Sequence, residues 1–170
     1  STTGRCAILF PHGVLFRKAE AELRTNLVTA DMVECVLGLG PSLFYNSPME
    51  ACVVICRSMK PKSRRGKTLF IDAVHEFARE NTQSFLRPAH QSRIIAAYEA
   101  FENEAEFAAV GTTDEILAKG GDLTVHHYVA RRSTAPAASA ESLAKNWERF
   151  DTDGREFWLG MDESVEILDY

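Results

Sequence analysis

No apolar run in the 170 residues approaches a membrane span. The longest with strand character is Ala51 to Cys56, against the ~20 residues that a spanning helix needs. No basic stretch leads into an apolar core at the start, so a secretory signal is not expected. Cysteine is scarce. Cys6, Cys35, Cys52 and Cys56 are too few for a disulfide scaffold in a chain of this length, and the expected compartment is the cytoplasm. Excess positive charge is missing too: 19 Lys and Arg against 24 Asp and Glu leave a formal charge of −5. That excludes wholesale coating of nucleic acid, though not a local basic patch. What remains, 45% hydrophobic and 25% charged residues, fits one folded domain with or without an appended arm.

Complete catalytic motifs are absent as well. There is no G-x-S-x-G and no phosphate-cradling P-loop. Gly38-Leu39-Gly40 follows an apolar run, but Pro41 comes next and no third glycine appears, so it reads as a turn that reverses the chain. Cys52 and Cys56, four apart in an expected strand, share a face at about 13 Å. They can neither bridge nor share a metal, and read as core. His126 and His127 point to opposite sides of a strand, and Asp151-Thr152-Asp153-Gly154 lacks the later ligands of a calcium loop. No metal site is expected.

The patterning is more informative. Cys6–Phe10, Met32–Leu37, Ala51–Cys56 and Leu69–Asp72 are short apolar runs bounded by turn residues, as in strands covered on both faces. Phe16, Ala19, Leu23 and Leu27 recur at helical spacing, with Glu20 and Arg24 paired on another face. The order strand, helix, strand, strand, strand is the tail of an α/β sheet. Pro88 opens a second helix carrying Ile94, Tyr98 and Phe101. Thr113 to Gly121 reads as a short helix with an acidic start and a glycine stop. Leu123, Val125 and Val129 alternate as in an edge strand. The expected division is residues 1–74 as sheet, 75–130 as a mostly helical extension, 131–140 as a linker and 141–170 as a helical tail.

Two segments invite a ligand. The loop Pro41 to Pro48 places Phe44 and Tyr45 between two strands. There an aromatic face either meets a planar ligand at the mouth of the sheet or caps the core. Lys60, Lys62, Arg64, Arg65 and Lys67 concentrate positive charge in an otherwise acidic chain. That run either touches DNA phosphates or is a solvated loop.

Gly4 to Phe16, reading GRCAILFPHGVLF, resembles the GGRAAFVLPNGVLF segment of the modification (methyltransferase) subunits of type I restriction-modification systems. Further blocks follow in the same order: Ala19–Arg24, Val33–Leu39, Leu43-Phe44-Tyr45 with Ala51–Ile55, Arg65–Ala73, Tyr98–Phe101 and Asp122–Val129. The likeness runs over residues 4 to 130.

It implies an adenine-N6 DNA methyltransferase that uses S-adenosylmethionine. The implied fold is the C-terminal portion of a Rossmann-like α/β sheet, beginning at its fifth strand, with Met32–Leu37 and Ala51–Cys56 as the antiparallel pair and a mostly helical region after it. The family's glycine-rich cofactor loop and its Asn-Pro-Pro-aromatic motif do not occur in these residues. The resemblance therefore implies a fragment with no catalytic or cofactor-binding residue of its own, inactive and without tight hold on S-adenosylmethionine.

In related adenine methyltransferases a base-stacking aromatic stands seven residues before the last strand pair's Ala-Val-Val, the place of Phe44 before Ala51-Cys52-Val53. Phe44 becomes the expected stacking residue, with Tyr45 in reserve. Lys62, Arg64, Arg65 and Lys67 are the candidates for the DNA backbone. Implied partners are DNA and the specificity and restriction subunits, with self-association through an open strand edge. The competing reading is a non-catalytic assembly module, or the remnant of a truncated gene.

Overall fold

The computed structural model describes residues 4–44, 47–80 and 83–130. The chain divides into two units, Ser1–Arg131 and Arg132–Tyr170, and every described residue falls in the first. Tyr45, the linker and the tail lie outside the described residues.

Five strands form the central sheet: β1 (Arg5–Pro11), β2 (Val33–Leu39), β3 (Ala51–Arg57), β4 (Lys67–Ala73) and β7 (Ala108–Thr112). Their spatial order is β1-β3-β2-β4-β7. β3 runs antiparallel to both β1 and β2, which leaves those two parallel to each other, and β4 runs parallel to β2. The antiparallel pairing of β2 with β3 is the one that the resemblance implies. A two-stranded hairpin, β5 (Ala78–Glu80) with β6 (Gln83–Phe85), stands apart from this sheet.

The apolar runs bury both faces of the middle strands. One face packs Val33, Val36, Cys52, Val54 and Phe70 against Val28 of α1 (Ala21–Thr29) and Ile116 of α3 (Thr113–Ala118). The other packs Cys35, Leu69, Ile71 and Ala73 under Ala97 of α2 (Pro88–Ala100) and Phe107. Pro88 stands in the first turn of α2, where its missing N–H costs nothing. The Thr112 hydroxyl accepts from Glu115 N at 3.2 Å to start α3. No helix among the described residues is long and apolar enough to cross a membrane.

Five expectations change. The Cys6–Phe10 run is not covered on both faces: β1 is exposed along nearly its whole length, because it lies at an edge of the sheet and, among the described residues, pairs with β3 alone. The stripe expected to bury the first helix is exposed at Phe16 and Leu23, while α1 buries Arg24 and Val28. Arg24 goes inside because its guanidinium finds three carbonyls, of Gly121, Val14 and Arg17, at 3.0, 2.9 and 2.9 Å. Desolvation of a cation is offset by such charge-assisted bonds. Leu123 to Val129 is not an edge strand: Val125–His127 form a 3₁₀ turn, and Val129 N donates to Val125 O at 3.0 Å. Helical spacing, not alternation, buries Val125 and Val129 together. The sheet does not end near residue 74, since β7 adds to β4 from within the segment expected to be mostly helical. Its Ala108-Ala109-Val110-Gly111-Thr112 has too little bulk to signal a strand. Finally, β2 runs on through Gly38 to Leu39, and the chain turns only from Gly40.

Candidate functional site

The register sets Pro11, Ala51, Leu39 and Ala73 side by side, one from each of β1, β3, β2 and β4. That row is the carboxyl end of the three parallel strands, the place where open α/β sheets bind ligands. The β2–β3 loop begins there and carries Phe44. Ser47 N donates to Phe44 O at 3.2 Å, closing the loop on itself. Phe44, half-buried, lines an open cleft of about 220 Å³ with Leu9, Phe10, Pro11, Met49 and Glu50. The walls are mostly apolar, with Ser47 and Glu50 as the polar lining residues; Glu50 Oε2 lies 3.6 Å from His12 Nδ1. Aromatic and flat apolar walls suit a planar ring, because every base presents a π face.

A brace holds the loop from behind. A β carbon at Gly40 would lie 2.5 Å from Val74 O and 2.7 Å from Phe77 Cδ1, so only glycine lets the chain following β4 pass this closely. Ser42 adopts φ 59°, a left-handed conformation that costs a non-glycine residue roughly 1 kcal/mol or more. Its carbonyl accepts the backbone N–H of Ser84, in β6, at 3.0 Å. The β5–β6 hairpin is thereby tied two residues from Phe44. Sequence reading did not find this tie, because nothing local to Ser42 or Ser84 signals it.

The basic run lies at the other end of the sheet. β3 crosses from the Phe44 loop to the Lys60–Lys67 segment in seven residues, roughly 20 Å. The structure therefore does not bring the two sets of candidates together. Within the run the cations divide. Lys60 is buried and donates to Asp31 Oδ1 and to Lys67 O, both at 2.6 Å. Arg64 is turned inward: it donates to Glu34 Oε1 at 3.2 Å and to Glu99 O at 3.0 Å, and lies 4.5 Å from the Phe101 ring centre. Lys62, Arg65 and Lys67 are exposed.

Glu34 organises this end. Consecutive residues Cys56 and Ile55 of β3 pair with Val33 and Cys35 of β2, so Glu34 is the extra residue of a β-bulge. Bulges re-aim a side chain, and here the fully buried carboxylate meets Arg57, Arg64 and Tyr98 at 3.1, 3.2 and 2.8 Å. Burial alone pushes its pKa up, but the hydrogen bonds from Tyr98, Arg57 and Arg64 outweigh burial and hold it below the ordinary value.

The family described as N-6 DNA Methylase matches residues 1–136. The chain belongs to the N-6 DNA methylase family. A type I restriction enzyme methylase subunit (MjaVIII) of Methanocaldococcus jannaschii is 31% identical over 133 residues, a stretch that covers 76% of this chain and 23% of that protein. The MpnII methylase subunit of Mycoplasma pneumoniae is 30% identical over 127 residues, covering 74% of this chain and 23% of that protein. Among solved structures, the type I restriction-modification methyltransferase subunit of Streptococcus thermophilus superposes with a TM-score of 0.69 at 32% identity, over 74% of this chain and 26% of that one. The chain thus spans about a quarter of the length of these relatives. Its match takes in every described strand and helix, from β1 through α3. The Phe44 cleft and its brace both lie inside the matched residues.

Proposed function

We propose that this chain is part of a type I restriction-modification DNA methyltransferase subunit that methylates adenine N6 with S-adenosylmethionine, and that its β2–β3 loop forms a wall of the target-base pocket. The observation that carries this reading is Phe44 lining an apolar cleft at the carboxyl ends of the strands. An adenine amine inside a duplex is out of reach, so the base is extruded and held between flat side chains. Phe44 supplies one face, Pro11 and Met49 the adjoining walls, and Tyr45 is the second candidate for stacking.

The residues present do not fit S-adenosylmethionine. Gly38, the first glycine of the Gly38-Leu39-Gly40 segment, sits inside β2 under Val125 and Val74, each 3.6 Å from where a β carbon would stand. Gly40 is occupied by the brace. The family's cofactor supplies the methyl group, and its cradle belongs to other residues of the complete enzyme. The Rossmann-like reading draws support from antiparallel β3 between parallel β1 and β2.

For the DNA backbone, Lys62, Arg65 and Lys67 are the available cations, at phosphates away from the flipped base; Arg64 serves the Glu34 cluster instead. The specificity and restriction subunits are the proposed partners. β1, whose Ile8 and Leu9 are 41% and 48% exposed, is the edge proposed for strand pairing. Mass spectrometry of DNA treated with the complete enzyme tests the reading. N6-methyladenine is expected; methylation on cytosine, or none, would overturn it.

A further inference from the structure

We propose that the β5–β6 hairpin is a DNA-contacting element, with Arg79 binding a backbone phosphate beside the extruded adenine. The inference rests on the target-base reading of the Phe44 loop. It goes further by assigning a cation to an element outside the main sheet and outside the basic run.

Three observations converge on the hairpin. Ser84 N donates to Ser42 O at 3.0 Å, so β6 lies along the loop that presents Phe44. Arg79 stands directly opposite Ser84 in the hairpin register, and facing residues come off the same side of the ribbon. Because the Ser84 N–H points outward to Ser42, Arg79 and Ser84 form the narrow kind of pair, with Cα atoms about 4.5 Å apart. The side chain of Arg79 thus starts within about 10 Å of the Ser42 backbone, inside the reach of a guanidinium toward the phosphates that flank a base stacked on Phe44.

Arg79 is also uncommitted. It is exposed, and among the described residues it makes no hydrogen bond or ion pair. Other arginines of the chain are engaged: Arg24 by three carbonyls, Arg57 and Arg64 by Glu34, and Arg93 by Glu76 and Glu104. Glu76, three residues before Arg79, is paired with Arg93; Glu80, opposite Gln83, is the exposed carboxylate of the hairpin itself. An unpaired guanidinium matches a phosphate in geometry as well as charge.

The test is the salt dependence of duplex binding by the complete enzyme. Arg79→Ala is expected to reduce the slope of log affinity against log salt by about 0.9, the value for one lost phosphate contact, with the melting temperature unchanged. Arg79→Lys is expected to keep the slope. An unaltered slope in Arg79→Ala overturns the hairpin assignment. Methylation by Phe44→Ala, measured alongside, separates the two claims. Lost methylation with an unaltered Arg79→Ala slope removes the hairpin alone. Normal methylation by Phe44→Ala with a reduced Arg79→Ala slope removes the stacking role and leaves the hairpin as a DNA contact.

Discussion

Tyr98 donates its hydroxyl to Oε2 of Glu34 at 2.8 Å, joining residues 64 positions apart. The bond ties α2 to the bulge in β2, while Arg57 and Arg64 occupy Oε1 of the same carboxylate. A buried charge held this way is costly to disturb, since removing one partner strands the others. Glu34→Gln is expected to cost about 2–4 kcal/mol by denaturant unfolding. That is toward the lower end for buried pairs, because Arg57 and Arg64 keep some contact with water. A loss under about 0.5 kcal/mol would contradict the role given to the cluster.

The same carboxylate sets a pH dependence. Its folded-state pKa is lowered by Tyr98, Arg57 and Arg64 against the effect of burial, so its contribution is fully present above the unfolded value of about 4.3. It is lost as pH falls through the lower folded value. The stability gap between wild type and Glu34→Gln should therefore narrow on acidification below about pH 4. A gap of constant size from pH 7 to pH 3 would refute the assignment.

The strands were legible because continuous apolar runs between turn residues leave few alternatives, and β1 to β4 follow them. What escaped depended on partners far away in sequence. Lys60, Arg64 and Lys67 look alike along the chain, yet Asp31 and Glu34 draw two of them inward and leave Lys67 outside. Arg24 looked like the polar side of a helix, but carbonyls from Val14, Arg17 and Gly121 converge on it. The loop carrying Phe44 was visible in the sequence as an aromatic loop after a strand. Its brace was not, because a backbone N–H and a carbonyl have no sequence signature.

Gly40 tests that brace. A β carbon there meets Val74 O and Phe77 Cδ1 at 2.5 and 2.7 Å, whereas at Gly38 the nearest atoms lie at 3.6 Å. Gly40→Ala is expected to cost about 1–3 kcal/mol as an overpacked site and to lower methylation by shifting Phe44; Gly38→Ala should cost less. Equal melting temperatures for the two variants would contradict the close approach seen at Gly40.

The chain by itself is expected neither to bind S-adenosylmethionine at micromolar concentration nor to methylate DNA, since the glycine-rich loop and the Asn-Pro-Pro-aromatic motif are not among its residues. Calorimetric titration of the purified chain checks the first, and transfer of a labelled methyl group to DNA checks the second. Saturable micromolar binding would show that the cofactor is cradled by residues assigned no such part.

The central claim is that Phe44 stacks on the target base, and the methylation rate of Phe44→Ala in the complete enzyme, read against its melting temperature, tests it most directly. Loss of stacking is worth about 1–3 kcal/mol, roughly a five- to 150-fold fall in rate, with the melting temperature nearly unchanged because the loop lies outside the buried strands. Phe44→Trp should retain most of the activity. Normal methylation by Phe44→Ala, together with a destabilisation in the range of about 3–5 kcal/mol that a core phenylalanine would show, would contradict the account.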